Sequence, residues 1–273
     1  MTDRPPLLSN PRSERVRQVA ALGRRAARER AGRFLVEGPQ AVRELLRYAA
    51  PHAQAVYLTE AAAQRHAELV TAAGAAEVPV WWCTEAVLTA MADTATPQGV
   101  VAVARMVDVP VEQALDAVGE RGFVVVLTHV RDPGNAGTVL RGADAFGAAA
   151  VLVSDASVDV YNPKVVRSTV GSVFHLPVSV GTPVPDLLQA CRARGIRLLA
   201  ADGAGRTSLP EVDLGGPHAW VMGNEAWGLD PEVLALCDEV VSIPIQRAES
   251  LNLAMAATVC LHASGSVRAP GLP

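Results

Sequence analysis

The sequence predicts an α/β protein with two successive α/β domains. Short apolar segments alternate with helical segments in two blocks, residues 34–105 and residues 122–273, a pattern typical of α/β units. A charged stretch with proline and glycine, residues 106–121, separates the blocks and predicts a linker with one short helix. In the second block the apolar segments are continuous rather than alternating, so we expect strands buried on both faces of a parallel sheet.

Residues 1–33 predict a basic helical arm ahead of the two blocks. They contain nine arginines and three acidic residues, although the whole chain has a formal net charge of -4. Asn10 and Pro11 are suited to the cap and first turn of a helix. We interpret the arm as an RNA-facing segment, the alternative being a solvated helix face. The arginines expected to contact RNA are Arg24, Arg25, Arg28, Arg30 and Arg33.

The first block predicts a small α/β domain of four strands. Helical segments lie between the strands, and Thr84 is placed to begin one of them. The predicted strands are residues 34–36, 55–58, 78–82 and 100–104.

The second block predicts a larger parallel sheet and ends in an apolar helix at about residues 250–263. Ligands of such sheets bind beyond the carboxyl ends of the strands, so the loops that follow the strands are the candidate site. The predicted strands are residues 123–127, 150–153, 175–178, 196–200, 219–222 and 240–243.

Composition excludes several classes of protein. No apolar run approaches the roughly 20 residues of a membrane helix, and no secretory signal is visible at the N-terminus, so we expect a cytoplasmic protein. Neither a dinucleotide fingerprint nor a phosphate-binding P-loop occurs. The cysteines are widely spaced without a C-x-x-C pair, which argues against a zinc site or a disulfide framework. They are Cys83, Cys191, Cys237 and Cys260.

Three strand-end loops are polar and rich in glycine: residues 128–137, 223–229 and 244–252. The first leads into a helix on which Asn135 and Arg141 can both face a ligand at the helix N-terminus, where backbone N–H groups favour an anion. Each loop has a simpler interpretation when taken alone: Asn135 as a helix cap, Arg141 in a surface ion pair, and Glu225 as a partner of a helix dipole. Spacing alone therefore indicates an α/β enzyme with a nucleotide-like ligand.

Taken in order, the three loops resemble the three motifs of the SpoU (TrmH) family of RNA 2'-O-ribose methyltransferases, within the SPOUT superfamily. The first motif matches residues 135–141, followed by Ala145-Phe146-Gly147. The second matches Met222-Gly223-Asn224-Glu225 with Gly228-Leu229, and the third matches Ile243-Pro244 with Ser250-Leu251-Asn252. The resemblance implies a SPOUT domain with a deep trefoil knot, a feature that topology rules alone would not predict.

Other segments also resemble the family. Residues 161–168 and Gly171 are similar to family sequence between the first and second motifs, and residues 34–38 and 96–100 resemble the substrate-binding domain that precedes the catalytic domain in many members. That domain is similar to certain RNA-binding ribosomal proteins. The resemblance thus implies a substrate-binding domain at residues 34–105 and a methyltransferase domain at residues 122–273.

The resemblance implies S-adenosylmethionine as methyl donor and no metal. Its pocket in the family is formed largely by backbone groups of the knot. The residues at matching positions here are Met222, Gly223, Asn224, Ile243, Ile245 and Leu251.

The resemblance also implies the residues that act on the ribose. The counterpart of Arg141 is proposed as a base in the family, but a guanidinium remains protonated in proteins. Arg141 therefore either loses a proton transiently or binds phosphate and stabilises the developing alkoxide while another group accepts the proton. The full set of implied residues is Arg141, Asn135, Glu225, Ser250 and Asn252.

The expected function is 2'-O-methylation of a ribose in RNA by a homodimer that associates through the knotted domain. Ribosomal RNA is the preferred substrate because the additional N-terminal domain is commoner among rRNA-modifying members, some of which act in antibiotic resistance. A tRNA methyltransferase of the same family and an RNA-binding protein without activity are the alternatives.

Overall fold

A computed structural model of the chain describes residues 6–268, and the side chains of residues 6–267. Contacts divide the described chain into two compact units. The first unit comprises the residues up to Val107 together with Asp159–His175, and the second comprises Asp108–Val158 and the residues from Leu176 onward. The sequence pattern places Asp159–His175 in the second domain, whereas its contacts group it with the first unit.

The elements alternate along the chain as the sequence predicts. The helices are α1 Glu14–Ala21, α2 Arg25–Ala31, α3 Pro39–Tyr48, α4 Glu60–Arg65, α5 Ala67–Ala75, α6 Glu85–Met91, α7 Val111–Leu115, α8 Pro133–Ala145, α9 Pro163–Thr169, α10 Val184–Ala193, α11 Pro231–Leu236 and α12 Leu253–Arg268. The strands are β1 Arg33–Glu37, β2 Ala53–Leu58, β3 Val80–Trp82, β4 Val100–Arg105, β5 Phe123–Leu127, β6 Ala150–Ser154, β7 Val178–Thr182, β8 Arg197–Ala201, β9 Thr207–Ser208, β10 His218–Met222 and β11 Glu239–Ser242.

The first unit contains a mixed sheet of four strands in the order β1-β4-β2-β3. β4 is antiparallel to both β1 and β2, and β3 is parallel to β2. Val16 and Val19 of α1 and the following Leu22 are buried in one apolar cluster with residues of the sheet and of α6. The segment predicted as a separate basic arm is therefore packed onto this unit, because its apolar side chains complete the core.

The N-terminal segment forms two helices rather than one. Ser13, not Asn10, is the N-cap of α1, and its hydroxyl accepts a hydrogen bond from the Val16 N–H. The Asn10 side chain instead accepts from the Arg12 N–H in the turn before the helix. α1 ends before Gly23, and α2 begins at Arg25. Arg4 of the predicted arm lies outside the described residues.

The second unit contains a seven-stranded sheet in the order β7-β6-β5-β10-β8-β11-β9, and its adjacent strands are all parallel. This confirms the predicted parallel sheet. Val111, Ala114 and Leu115 of α7 are buried in its apolar core. The short helix predicted within the linker therefore belongs to the core of the second unit.

In the second half of the chain, β7 and the last helix begin later than predicted, and one short strand was not predicted. β7 begins at Val178 because Pro177 has no N–H to donate to a neighbouring strand. The Pro177 carbonyl still accepts a hydrogen bond from the Val151 N–H. Ahead of the strand, Ser172–Phe174 form a 3-10 helix. The short edge strand β9 was not predicted. The last helix begins at Leu253 because the Asn252 side chain accepts from the Ala254 N–H and ends the preceding loop.

All four cysteines are free thiols. Burial raises the pKa of Cys83, Cys191 and Cys260 to about 12 and that of Cys237 to about 11. No helix within the described part of the chain has the length and apolar character needed to span a membrane.

Candidate active site

The candidate site is at the carboxyl edge of the second unit's sheet. β10, β8 and β11 are adjacent and parallel, so the loops that follow them emerge at the same edge. These loops and the start of α12 enclose a cavity of about 430 Å³, which we call the active-site cavity. Its volume is within the range of about 300–1,000 Å³ that is usual for ligand pockets.

The cavity brings together the residues predicted from the second and third motifs. Its lining includes the six predicted cofactor residues Met222, Gly223, Asn224, Ile243, Ile245 and Leu251. It also includes Glu225, Ser250 and Asn252. Neither Asn135 nor Arg141 is among the residues that line it.

Sequence reasoning missed the loop after β8. Ala201, Asp202 and Gly203 line the same cavity. Asp202 organises this loop, because its side chain accepts a hydrogen bond from the Ala204 N–H and its carbonyl accepts one from the Gly205 N–H. The sequence did contain a signal for this loop, because it follows an apolar strand and contains two glycines and an aspartate.

The second-motif loop is a tight turn that only glycine permits. A Cβ atom at Gly223 would lie 2.3 Å from the carbonyl carbon of Gly228, and Gly228 itself has a φ of +72°. The backbones of Asn224 and Gly228 exchange two hydrogen bonds of 2.8 and 2.9 Å across the turn. Both motif positions therefore require glycine for steric reasons.

Asn224 stabilises this turn with its side chain. Its Nδ2 donates to the carbonyl of His129 at 2.7 Å, and its Oδ1 accepts from the Ala226 N–H at 2.8 Å. The side chain is buried, so these bonds replace water. Asn224 therefore joins the second-motif loop to the first-motif loop.

Glu225 connects the same two loops through its carboxylate. The carboxylate accepts hydrogen bonds from the N–H groups of Arg131 and Asp132 at 3.1 and 3.0 Å and from Asn135 Nδ2 at 3.2 Å. Desolvation by burial raises the pKa of Glu225, but the hydrogen bonds from these groups outweigh that effect, so the pKa lies below its ordinary value. The ionised carboxylate is therefore the form that this loop arrangement favours.

Asn135 links Glu225 to the third-motif loop. While its Nδ2 donates to Glu225, its Oδ1 accepts from Asn252 Nδ2 at 3.0 Å. The cap of α8 is Asp132, whose side chain accepts from the Asn135 N–H at 2.8 Å. Asn135 is thus not the helix cap, and its amide group is available to join all three predicted motif loops.

Arg141 lies on α8 nearly two turns beyond Asn135. Its side chain is exposed, and within residues 6–267 it makes no hydrogen bond or ion pair. Arg141 therefore has no partner in the described chain for the surface ion pair that was its alternative interpretation. The next residue, Gly142, faces α12, because a Cβ atom there would lie 3.4 Å from Leu261.

The five arginines predicted to contact RNA have different environments in the first unit. Arg24, Arg30 and Arg33 are exposed, and Arg25 is exposed but paired with Glu29 at 2.7 Å. Arg28 is buried, so its prediction as an RNA contact is corrected. Its Nη1 donates to the carbonyls of Leu22 and Gly23, and its Nε and Nη2 donate to Asp159 at 3.1 and 2.5 Å.

Family models match both parts of the chain. The SpoU rRNA Methylase family matches residues 122–262, and the MRM3-like substrate binding domain matches residues 13–102. The chain is 30% identical to the 23S rRNA (guanosine(2553)-2'-O)-methyltransferase RlmP of Bacillus subtilis, over 93% of this chain and 97% of that protein. It is 35% identical to the 23S rRNA (uridine(2479)-2'-O)-methyltransferase of Streptomyces viridochromogenes, over 92% and 89%.

Solved structures agree with these matches. An rRNA methyltransferase from Sinorhizobium meliloti superimposes with a TM-score of 0.84 at 27% identity, covering 95% of this chain and 96% of that one. The SpoU methyltransferase AviRb from Streptomyces viridochromogenes, in complex with AdoMet, superimposes with a TM-score of 0.82 at 33% identity, covering 94% and 99%. The chain therefore belongs to the SpoU rRNA methylase family, and an N-terminal substrate-binding domain precedes its methylase domain.

Proposed function

We propose that the protein transfers a methyl group from S-adenosylmethionine to the 2'-hydroxyl of a ribose in ribosomal RNA. The observation that carries this proposal is that Asn135 of the first-motif loop is hydrogen-bonded to Glu225 and Asn252, two residues of the other motif loops that line the active-site cavity. The relatives named as 23S rRNA methyltransferases support ribosomal RNA over tRNA as substrate.

The composition of the active-site cavity fits the methyl donor. Met222, Ile243 and Leu251 offer apolar surface to an adenine ring, and Gly223 leaves its backbone open to close approach. When bound, S-adenosylmethionine supplies an electrophilic methyl group. The proposal requires no metal.

The remaining residues position the ribose and stabilise its charge. Glu225 and Asn252 hold the Asn135 amide from both sides, so Asn135 is oriented before the substrate arrives. Arg141 is exposed and has no polar partner within the described residues. We assign it to bind the phosphate beside the target ribose and to stabilise the alkoxide as the hydroxyl proton passes to solvent water. Ser250 lines the cavity beside Asn252 and would orient the third loop.

The exposed arginines of the first unit supply a face for the RNA backbone. Arg33 lies directly opposite Arg105 across the antiparallel β1–β4 pair, and both side chains are exposed. Like charges in direct register destabilise a sheet, so this pair favours an anionic partner. We assign phosphate contacts to Arg24, Arg25, Arg30 and Arg33, and we omit the buried Arg28.

We also propose a homodimer that associates through α12. Its buried face includes Ala257 and Leu261, whereas Met255 and Val259, one turn apart, are 59% and 39% exposed. A second copy of this chain would cover that apolar stripe. Replacing both residues with glutamate should convert a dimer into a monomer in sedimentation analysis; a wild-type monomer would refute this assembly.

Two further features follow from the family. We propose that the chain forms the family's deep trefoil knot around the active-site cavity. The close approach of Gly205 to the β11 backbone, where an added Cβ would lie 2.6 Å from the Ser242 nitrogen, is consistent with tight packing there. The bacterial rRNA methyltransferase relatives support a cytoplasmic location.

Transfer of a tritiated methyl group to RNA tests the function. We expect label in 23S rRNA after incubation with labelled S-adenosylmethionine, and nuclease digestion should release it as a 2'-O-methylated nucleoside. Label in tRNA alone would favour the tRNA-modifying alternative. Label in neither pool, with rRNA offered both naked and in ribosomal particles, would refute the proposal.

A further inference from the structure

A second cavity, of about 350 Å³, lies within the first unit, and we call it the first-unit cavity. It is formed by the start of α3, the loop at residues 94–98, and the end of α9. Its lining also includes members of the two stretches that resemble the family's substrate-binding domain, residues 34–38 and 96–100: Glu37, Gly38, Thr96, Pro97, Gln98 and Val100. The methyl transfer proposed for the active-site cavity does not involve this first-unit cavity.

A buried carboxylate holds the cavity wall in place. Glu37 Oε1 accepts hydrogen bonds from the Asp93 N–H at 3.0 Å and from Arg167 Nη1 at 3.3 Å, and Oε2 accepts from the Thr94 N–H at 3.2 Å. The same Nη1 donates to Asp93 Oδ2 at 3.0 Å. The loop is therefore anchored to β1 and α9, and the cavity is formed before any ligand binds.

Two unusual backbone conformations border the cavity. Gly99 has a φ of +82°, and a Cβ atom there would lie 2.7 Å from that of Ala62, so only glycine fits. Val170 lines the cavity with a φ of +53°, which a β-branched residue rarely adopts. Strain of this kind is concentrated at binding sites.

The charges of the cavity argue against a phosphate ligand. Its arginine, Arg167, is bound to the carboxylates of both Glu37 and Asp93, so this cluster has a net negative charge. The other polar side chains are neutral, and Gln40, Gln98 and Thr96 offer both donors and acceptors. α3 begins without a side-chain cap, so its first-turn N–H groups add donors.

An apolar floor completes the cavity. Ala41, Val100 and Pro97 line it, and the half-buried Pro97 offers the largest accessible apolar surface of the three. A flat heteroaromatic ring with hydrogen-bonding edges matches this combination, because unpaired RNA bases are recognised by contacts to the ring face and by hydrogen bonds to the edges. Glutamine amides form such edge contacts with bases.

We propose that the first-unit cavity binds one unpaired base of the RNA substrate, with Gln40 and Gln98 hydrogen-bonded to its edge. This inference rests on the proposed function, because it takes RNA as the substrate. The cavity would select a nucleotide other than the one that is methylated. It would contribute to substrate choice and not to the chemical step.

The test compares a double variant, Gln40→Ala with Gln98→Ala, against the matched control Gln64→Ala, an exposed glutamine on α4. The probes are a 23S rRNA transcript and bulk tRNA, with Kd measured by filter binding over a range of salt concentrations. The double variant should weaken binding to the transcript by about 10-fold, as expected for loss of a base contact. KM for RNA should rise in parallel, while kcat and the Kd for S-adenosylmethionine remain unchanged.

The outcomes separate this proposal from the proposed function. A double variant with the Kd of wild type would overturn the base-binding assignment even if methyl transfer proceeds normally. A reduced salt dependence in the double variant would also overturn it, because that result would indicate a lost phosphate contact. If wild type binds the transcript but transfers no methyl group, the proposed function fails, and the Kd comparison still decides the role of the cavity. Absence of binding to both RNAs would overturn the cavity proposal.

Discussion

In the first unit Arg28 and Arg167 are bound to carboxylates, whereas in the second unit Arg141 is exposed and, within the described chain, has no polar partner. Arginine density in the sequence points to the first unit, where nine arginines precede residue 34. The structure shows that one of the five assigned to RNA stabilises the domain instead. Local positive charge therefore locates an anion site only after the internal ion pairs are known.

Removing Arg28 should have the largest effect on stability. Arg28→Met leaves Asp159 without its buried partner and deprives two carbonyls of a donor, which should cost about 3–5 kcal/mol of unfolding free energy. Urea denaturation of the full chain measures this loss. The matched control is Arg25→Met, whose pair with Glu29 is exposed and should contribute less than about 1 kcal/mol. Equal losses in the two variants would contradict the structural role of Arg28.

Removing Arg141 should affect catalysis but not stability. Arg141→Ala deletes an exposed side chain, so the unfolding midpoint should stay near that of wild type. Loss of one transition-state donor should lower kcat for methyl transfer by about 100- to 1,000-fold, with S-adenosylmethionine binding retained. Single-turnover assays and calorimetry measure the two quantities. Full turnover by Arg141→Ala would exclude Arg141 from the mechanism and weaken the contrast between the units.

Gly223→Ala tests whether the second-motif turn forms the cofactor cavity. The new Cβ would meet the Gly228 backbone, so the turn must shift at a cost of about 1–3 kcal/mol in stability. The Kd for S-adenosylmethionine should rise markedly. Gly216→Ala is the control, since its Cβ would have no atom within 4 Å. Wild-type cofactor affinity in Gly223→Ala would show that the turn is not part of the cofactor site.

The smallest expected effect is the pH dependence of the contribution that Glu225 makes to folding stability. Its folded pKa is lowered, so its contribution to stability is present above the ordinary glutamate pKa of about 4.3 and is lost as the pH falls through the folded value. The melting temperature of Glu225→Gln should therefore lie slightly below that of wild type at neutral pH, and the two should converge in acid. A difference that grows as the pH falls would contradict the ionised network.

The sequence by itself determined the order of elements, the parallel sheet and the three motif loops. A strand that is apolar throughout, such as residues 123–127, must be covered on both faces of its sheet. The loops that follow parallel strands meet at one edge of that sheet. Composition and spacing also excluded the classes that need a long apolar helix or a cysteine framework. These are local properties, and local sequence is sufficient to express them.

Only the tertiary structure decided which polar groups are partners. Arg28 and Asp159 are 131 residues apart, as are His175 and Glu44. The placement of Asp159–His175 in the first unit, the bond from Asn135 to Asn252 and the first-unit cavity depend likewise on contacts between distant segments. The sequence does not distinguish an arginine that binds phosphate from one that binds a buried carboxylate. Their environments differ only after the chain has folded, because burial and partner geometry determine what each charge can bind.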